Sequence, residues 1–295
     1  MIEFLKMEFH EDELVKNAAG REILEYMGFV EEEGASAFAA IRSGCASVMI
    51  DDGESMVFTY PVSISEDADE ADIIKEIIRF CSDCEIAPVF IDTPRDSLPV
   101  LLEGVRHADV DGDGEFFTVK FKNECMLLEY PPEILSGEVY LSEPAEKFAA
   151  EYKRLILDGE HNAFWGNDLR AEMMGSSAEY FVREAIDEFY QGTAITLHAT
   201  VLDGNGENKF VGEGVLYRFD FKGGCEVAVR VLPEYCKKGY GRAILEGLME
   251  IARQIGLTSL VCNIDKRNIP AIRFTKGLFE LSGEDDDTVR LTADI

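Results

Sequence analysis

Residues Val227 to Ile251 constrain this chain more than any other stretch. Val229-Arg230-Val231 reads as the end of a strand that Pro233 terminates, and Tyr235 to Arg242 then runs without an acidic residue. Ile244, Leu245, Leu248, Met249 and Ile251 follow at helical spacing, which predicts a helix over residues 240–254. Strand, glycine-containing loop and helix in that order are the parts of an α/β unit. Where such a helix begins, several backbone N–H groups lack intrahelical partners and point outward together. Their partial positive charge suits a phosphate, and Gly239 and Gly241 let the backbone come close to one. Lys237, Lys238 and Arg242 add full charges, with no acid between Glu234 and Glu246.

Charge is distributed to match. The 295 residues carry 58 Asp and Glu against 28 Lys and Arg, a formal net charge of −30. Residues 1–130 hold 30 acids and 10 bases, hence −20, and residues 131–295 hold the remaining 28 and 18, hence −10. Within the second part, residues 221–280 reverse the sign with 6 acids and 10 bases, a net of +4. So acidic a chain is excluded as a general nucleic-acid binder or a ligand of anionic membranes, both of which need a basic face. The basic island is instead a candidate anion site. No run of about 18 apolar residues is present to span a bilayer, and the amino terminus lacks a signal-peptide core. Seven cysteines without a regular framework read as reduced thiols, so the expected location is cytoplasmic.

A length near 300 implies about two domains. The break is placed at Tyr130-Pro131-Pro132-Glu133-Ile134-Leu135-Ser136-Gly137, giving domains 1–130 and 138–295. In the first, a helical region covers about 10–28, and strands at 46–50 and 56–60 form a hairpin. A helix at 70–82, a strand at 87–91, a helix near 95–105 and a strand near 115–122 follow. In the second, strands are expected at 138–141, 193–202, 210–219, 227–232, 259–264 and 288–293. Helices are expected at 148–156, 177–190, 240–254 and 270–276. Both parts run hairpin, helix, strand, helix, strand, which suggests a duplicated α/β unit without a clear residue-level repeat.

The loop after Val229-Arg230-Val231 resembles the acyl-CoA signature of the GNAT superfamily of N-acetyltransferases, Arg/Gln-x-x-Gly-x-Gly/Ala after a V-x-V strand. Gly239 and Gly241 occupy the glycine positions, while Cys236 stands where the family usually has Arg or Gln. Downstream, Asn268-Ile269-Pro270-Ala271-Ile272-Arg273-Phe274-Thr275-Lys276-Gly277-Leu278-Phe279 resembles the family's second motif, N-x-x-A-x-x-F-Y-x-x-x-G-F, slightly shortened. The resemblance covers about residues 138–295. It implies a mixed sheet flanked by helices, preceded by a second α/β domain that reads as a degenerate GNAT-like copy lacking the glycine loop. That first domain is assigned a structural, dimerising (as in a homodimer) or acceptor-shaping role.

The resemblance further implies acetyl-CoA as acyl donor. Val229 and Val231 would pair with pantetheine in a cleft beside the 259–264 strand. Cys236, Lys237, Lys238, Gly239, Tyr240, Gly241 and Arg242 would hold the pyrophosphate, Asn268 would face the pantetheine arm, and Arg273 and Phe274 would flank the cofactor. The acceptor would be a small-molecule or peptide amine. An alkylammonium has a pKa near ~10.4, so it must lose a proton before attacking the thioester. Glu226, on the strand with the cofactor contacts, is the candidate general base. Thr275 stands where the family often has its acid tyrosine, which leaves Tyr240, a water or no residue to protonate the thiolate. His161-Asn162-Ala163-Phe164-Trp165-Gly166 resembles an N-x-x-Y-W-G segment of several bacterial members, making Trp165 a candidate acceptor contact. Cys236 and Thr275 also motivate the rival reading, an acyl-CoA-binding sensor or scaffold without turnover.

Other signals do not survive. Counting from Asp109 as the first position of a calcium loop, the required glutamate falls on Lys120, so a charged hairpin turn is the better reading. Cys81-Ser82-Asp83-Cys84 has no second pair of ligands, and the four histidines show no metal spacing, so no metal site is expected.

Overall fold

The computed structural model describes residues 3–5, 18–33, 35–51, 56–112, 114–159, 164 and 175–295. It divides into two units, Met1–Asn123 with Asp220–Lys222, and Glu124–Phe219 with Gly223–Ile295. The chain passes from one to the other ahead of the Tyr130–Gly137 segment, which itself carries a short strand.

Unit 1 contains β1 (Glu3–Leu5), α1 (Ala18–Glu32), β2 (Ser36–Arg42), β3 (Cys45–Asp51), β4 (Met56–Thr59) and β5 (Val62–Ser63). It continues with α2 (Glu70–Asp83), β6 (Val89–Pro94), α3 (Leu98–Leu101), β7 (His107–Gly112) and β8 (Phe116–Lys122). The sheet order is β1-β2-β3-β4-β6-β8-β7, with β5 on β3. Among the described residues its one parallel pair is β4 with β6, joined through α2. The Asp69 carboxylate caps α2 by accepting from the Asp72 N–H at 3.2 Å, and Ile73, Ile74, Ile77 and Ile78 bury one face of the helix.

Unit 2 contains β9 (Ile134–Ser136), β10 (Val139–Ser142), α4 (Ala149–Ile156), α5 (Ala178–Gln191), β11 (Ala194–Leu202) and β12 (Asn208–Tyr217). It continues with β13 (Gly224–Val231), α6 (Tyr240–Gln254), β14 (Ser259–Asp265), α7 (Ile269–Thr275), β15 (Glu280–Glu284) and β16 (Thr288–Asp294). The order is β15-β16-β14-β13-β12-β11-β10-β9, and again one pair is parallel, β13 with β14 through α6. From β2 onward unit 1 repeats this plan. A meander ends on a strand, a helix crosses to a parallel neighbour, and the last strand of the unit inserts beside that neighbour with the preceding strand at the edge.

Helices cover both faces of the unit 2 sheet. A Cβ on Gly214 would meet Leu248 and Ile244 of α6 at 2.7 and 2.8 Å, so glycine is what lets α6 sit against β12. Gly214 is opposite Leu197, and the next residue, His198, points to the other face, where its ring lies 4.5 Å from Tyr152 of α4.

Most expected elements are present, with six added strands. Strands β1, β2, β5, β7, β9 and β15 were not anticipated, and the helix expected near 95–105 is a 3₁₀ turn followed by the short α3. The segment read as a charged turn from Asp109 is largely β7, paired with β8. Residues 10–17 of the first expected helical region lie outside the described residues. Among the described residues no helix is long and apolar enough to cross a membrane.

Candidate active site

The parallel pairing of β13 with β14 holds for three rungs, Gly224 with Ser259, Cys225 with Leu260 and Glu226 with Val261. Beyond Glu226 the two strands part, although β13 stays paired with β12 as far as Val231 opposite Gly212. One edge of Val227–Val231 therefore has no ladder partner on β14, which leaves main-chain donors and acceptors for an extended ligand.

A cleft of about 570 Å³ lies along this edge. Val229 and Val231 line it from the strand, and Cys236, Lys237, Gly239, Gly241 and Arg242 from the loop and the start of α6. Asn268, Pro270, Ala271 and Phe274 line it from α7. Gly239 is the N-cap of α6 with φ +89° and no capping side chain, so the first N–H groups of the helix are not closed by a carboxylate or hydroxyl from that residue.

Several sequence-derived contacts fall elsewhere. Lys238 follows Lys237, whose φ is +61°, and its ammonium sits 4.9 Å from the Tyr235 ring instead of lining the cleft. Tyr240 packs on the same ring at 6.2 Å and does not line the cleft either. Arg273 is exposed and off the cleft for a helical reason. Asn268, Ala271 and Phe274 recur at three-residue spacing on one face, and Arg273 lies about 100° around from Phe274. Asn268 also caps α7, its Oδ1 accepting from the Ala271 N–H at 3.2 Å. Phe164, Arg230, Tyr235, Pro270 and Ala271 were missed as lining residues, although the last two lie inside the second motif and on its lining face.

Cys236 does not replace the donor that its position usually supplies. Its half-buried thiol lies 3.7 and 3.6 Å from the carbonyls of Val231 and Leu232, and burial raises its pKa. Thr275 is fully buried, with its hydroxyl 3.0 and 3.1 Å from the Ala271 and Ile272 carbonyls, so it takes no part in the cleft. Trp165 lies outside the described residues. Its neighbour Phe164 lines the cleft and stacks under the Arg267 guanidinium at 5.9 Å.

Glu226 is not among the cleft-lining residues. Register explains why. Val229 is opposite Gly214, on the α6 face, whereas Glu226 is opposite Tyr217, on the face that carries His198. The cleft and the carboxylate thus occupy opposite faces of one strand, next to the point where the sheet opens.

Residues 163–278 match the model of the acetyltransferase (GNAT) family, so unit 2 carries a GNAT-family acetyltransferase domain. No curated protein matches the sequence. Among solved structures, RimJ of Mycobacterium smegmatis in complex with CoA-disulfide is 16% identical, covering 56% of this chain and 88% of its own, with a TM-score of 0.46. A GNAT-family acetyltransferase of Bacillus anthracis is 13% identical over 55% of this chain and 98% of its own, at 0.46. A chimera of the spermidine N-acetyltransferase SpeG from Vibrio cholerae and hSSAT is 12% identical over 54% and 96%, at 0.43.

Proposed function

We propose that this GNAT-family domain transfers an acetyl group from acetyl-CoA to a primary amine by direct attack. The observation that carries the reading is the opening between β13 and β14, with the cleft on one side of it and Glu226 on the other. Pantetheine extends along the unpaired edge of Val227–Val231, and the pyrophosphate rests on the N–H groups at the start of α6 beside Lys237 and Arg242. The amine enters from the Glu226 face, and Glu226 takes its proton. Nitrogen then attacks the thioester carbonyl, gives up its second proton to solvent, and collapse of the tetrahedral intermediate expels the CoA thiolate. With Thr275 turned into its own helix and Tyr240 packed on Tyr235, the thiolate takes its proton from solvent. The net charge of −30 favours a cationic acceptor, a small amine or a protein N-terminus, and the basic loop favours the anionic donor.

Unit 1 fits a degenerate copy of the same plan that binds no CoA. Its loop before α2 carries Glu66, Asp67 and Asp69, and the Asp69 carboxylate already occupies an N–H of the helix start. One CoA per chain is the expected stoichiometry.

Thiol release from acetyl-CoA across a panel of amines, with calorimetry of CoA binding, tests the proposal. Amine-stimulated release supports it. Binding without release by any amine supports the second reading, a CoA-binding module without turnover, which the burial of Thr275 favours.

A further inference from the structure

We infer that Tyr217 and Arg218 are positioning residues that hold the Glu226 carboxylate at the point where β13 parts from β14. The inference rests on Glu226 being the base. Tyr217 is the last residue of β12 and stands directly opposite Glu226, so the two side chains leave the ladder side by side on one face. Arg218 approaches the same carboxylate with Nη1 at 3.5 Å from Oε1, and its guanidinium carbon lies 5.6 Å from the centre of the Tyr217 ring.

The backbone is bent to allow this. Arg218 has φ +50°, a left-handed conformation that a non-glycine residue keeps only where its surroundings hold it, and such positions gather at functional sites. Cys262 of β14 also senses Glu226. Burial pushes its thiol up to about 12, and the carboxylate charge adds to that. Burial and the same charge raise the Tyr217 phenol, so it stays protonated as a donor. Glutamate ends in a flexible side chain, and a base must be held within a fraction of an ångström of its proton to be effective. A phenol from straight across the ladder and a guanidinium from the following residue supply two fixed points.

The test is a double-mutant cycle on turnover with acetyl-CoA and an accepted amine. E226Q should lower kcat by about 100-fold or more, the range of general-base catalysis. Y217F and R218G should each lower it by about 3- to 10-fold with CoA affinity unchanged, since small displacements near the reacting atoms cost that much or more. R218G also removes the side chain that strains a left-handed backbone, so it tests the contact without risking the fold, and R218K should recover part of the loss. In the E226Q background, Y217F should cause no further loss, because a residue acting through Glu226 has nothing left to position. An additive loss in the double variant, or wild-type kcat in Y217F, overturns the inference while E226Q still supports the base. Wild-type kcat in E226Q removes the base reading and the inference with it.

Discussion

Glu213 and Arg230 face each other across the β12–β13 ladder as an ion pair whose side chains are 0% and 2% exposed. Two charges taken out of water are tolerable only as partners, so removing one leaves the other stranded in the core. Glu213→Ala should cost roughly 3–5 kcal/mol. The double replacement Glu213→Leu with Arg230→Met should cost much less, because it removes both charges and keeps the volume. Urea unfolding at neutral pH reads the difference, and equal losses in the two variants would contradict the account.

That pair also marks how far the sequence could be read. The strand–loop–helix order, the bounds of α6 and the hairpin of β11 with β12 were legible because period and turn chemistry are local. Strands β7 and β15 were not, since each is an edge strand whose charged and glycine residues break the apolar alternation, although each pairs with the strand that follows it. The cleft was legible in Val229, Gly239 and Phe274, which belong to motifs. The positive island was read by summation, and contacts divide it. Arg230 lines the cleft with its side chain buried against Glu213, Arg267 pairs with Asp265 and Arg253 with Glu250, and among the described residues Lys237 and Arg242 are the exposed cations lining the cleft. Tyr217 carried no motif, and only the register shows it opposite Glu226.

The two glycines of the loop should respond differently to alanine. Gly239 has φ +89° with nothing within 4 Å of a built Cβ, so Gly239→Ala meets backbone strain alone, roughly 1–2 kcal/mol, and disturbs the first N–H groups of α6. Thermal stability and CoA affinity should both fall. A Cβ on Gly241 would rest 3.6 Å from Val231 Cγ2, an ordinary contact inside the cleft. Gly241→Ala should therefore keep its melting temperature and lose CoA affinity. Calorimetry beside a thermal scan separates the two patterns, and identical behaviour would count against this account of the loop.

Arg242 Nε lies 2.8 Å from Glu246 Oε1, one helical turn along, with both side chains about half exposed. A solvent-exposed pair of this kind contributes little to stability, about 0.3–0.5 kcal/mol, but it ties up a cation that lines the cleft. Glu246→Gln should tighten CoA binding by about 2-fold and Arg242→Gln should weaken it by about 3- to 5-fold, the scale of one charged contact at a part-exposed site. Both effects should shrink in 0.5 M salt, a concentration chosen because it shortens the screening length to roughly 4 Å. Effects that persist unchanged at high salt would mean that Arg242 acts through shape.

His198 should make the protein acid-sensitive. Its ring is 1% exposed between Tyr152 and Phe210, and Nδ1 accepts the Ala145 N–H at 3.2 Å, so the neutral form is the one that fits. Burial lowers its pKa from 6.5 to about 3. The unfolded chain therefore binds a proton that the folded chain refuses between those values. The stability linked to His198 is complete above about pH 6.5 and is lost progressively as the pH falls towards 3, by at most ~1.4 kcal/mol per pH unit. His198→Asn should be less stable at pH 7, having lost ring packing, yet its stability should decline less steeply on acidification. Denaturant unfolding of both proteins at pH 7, 6, 5 and 4 (values chosen to span the window) should show the gap between them narrowing. A constant gap would mean that His198 is not the group that titrates.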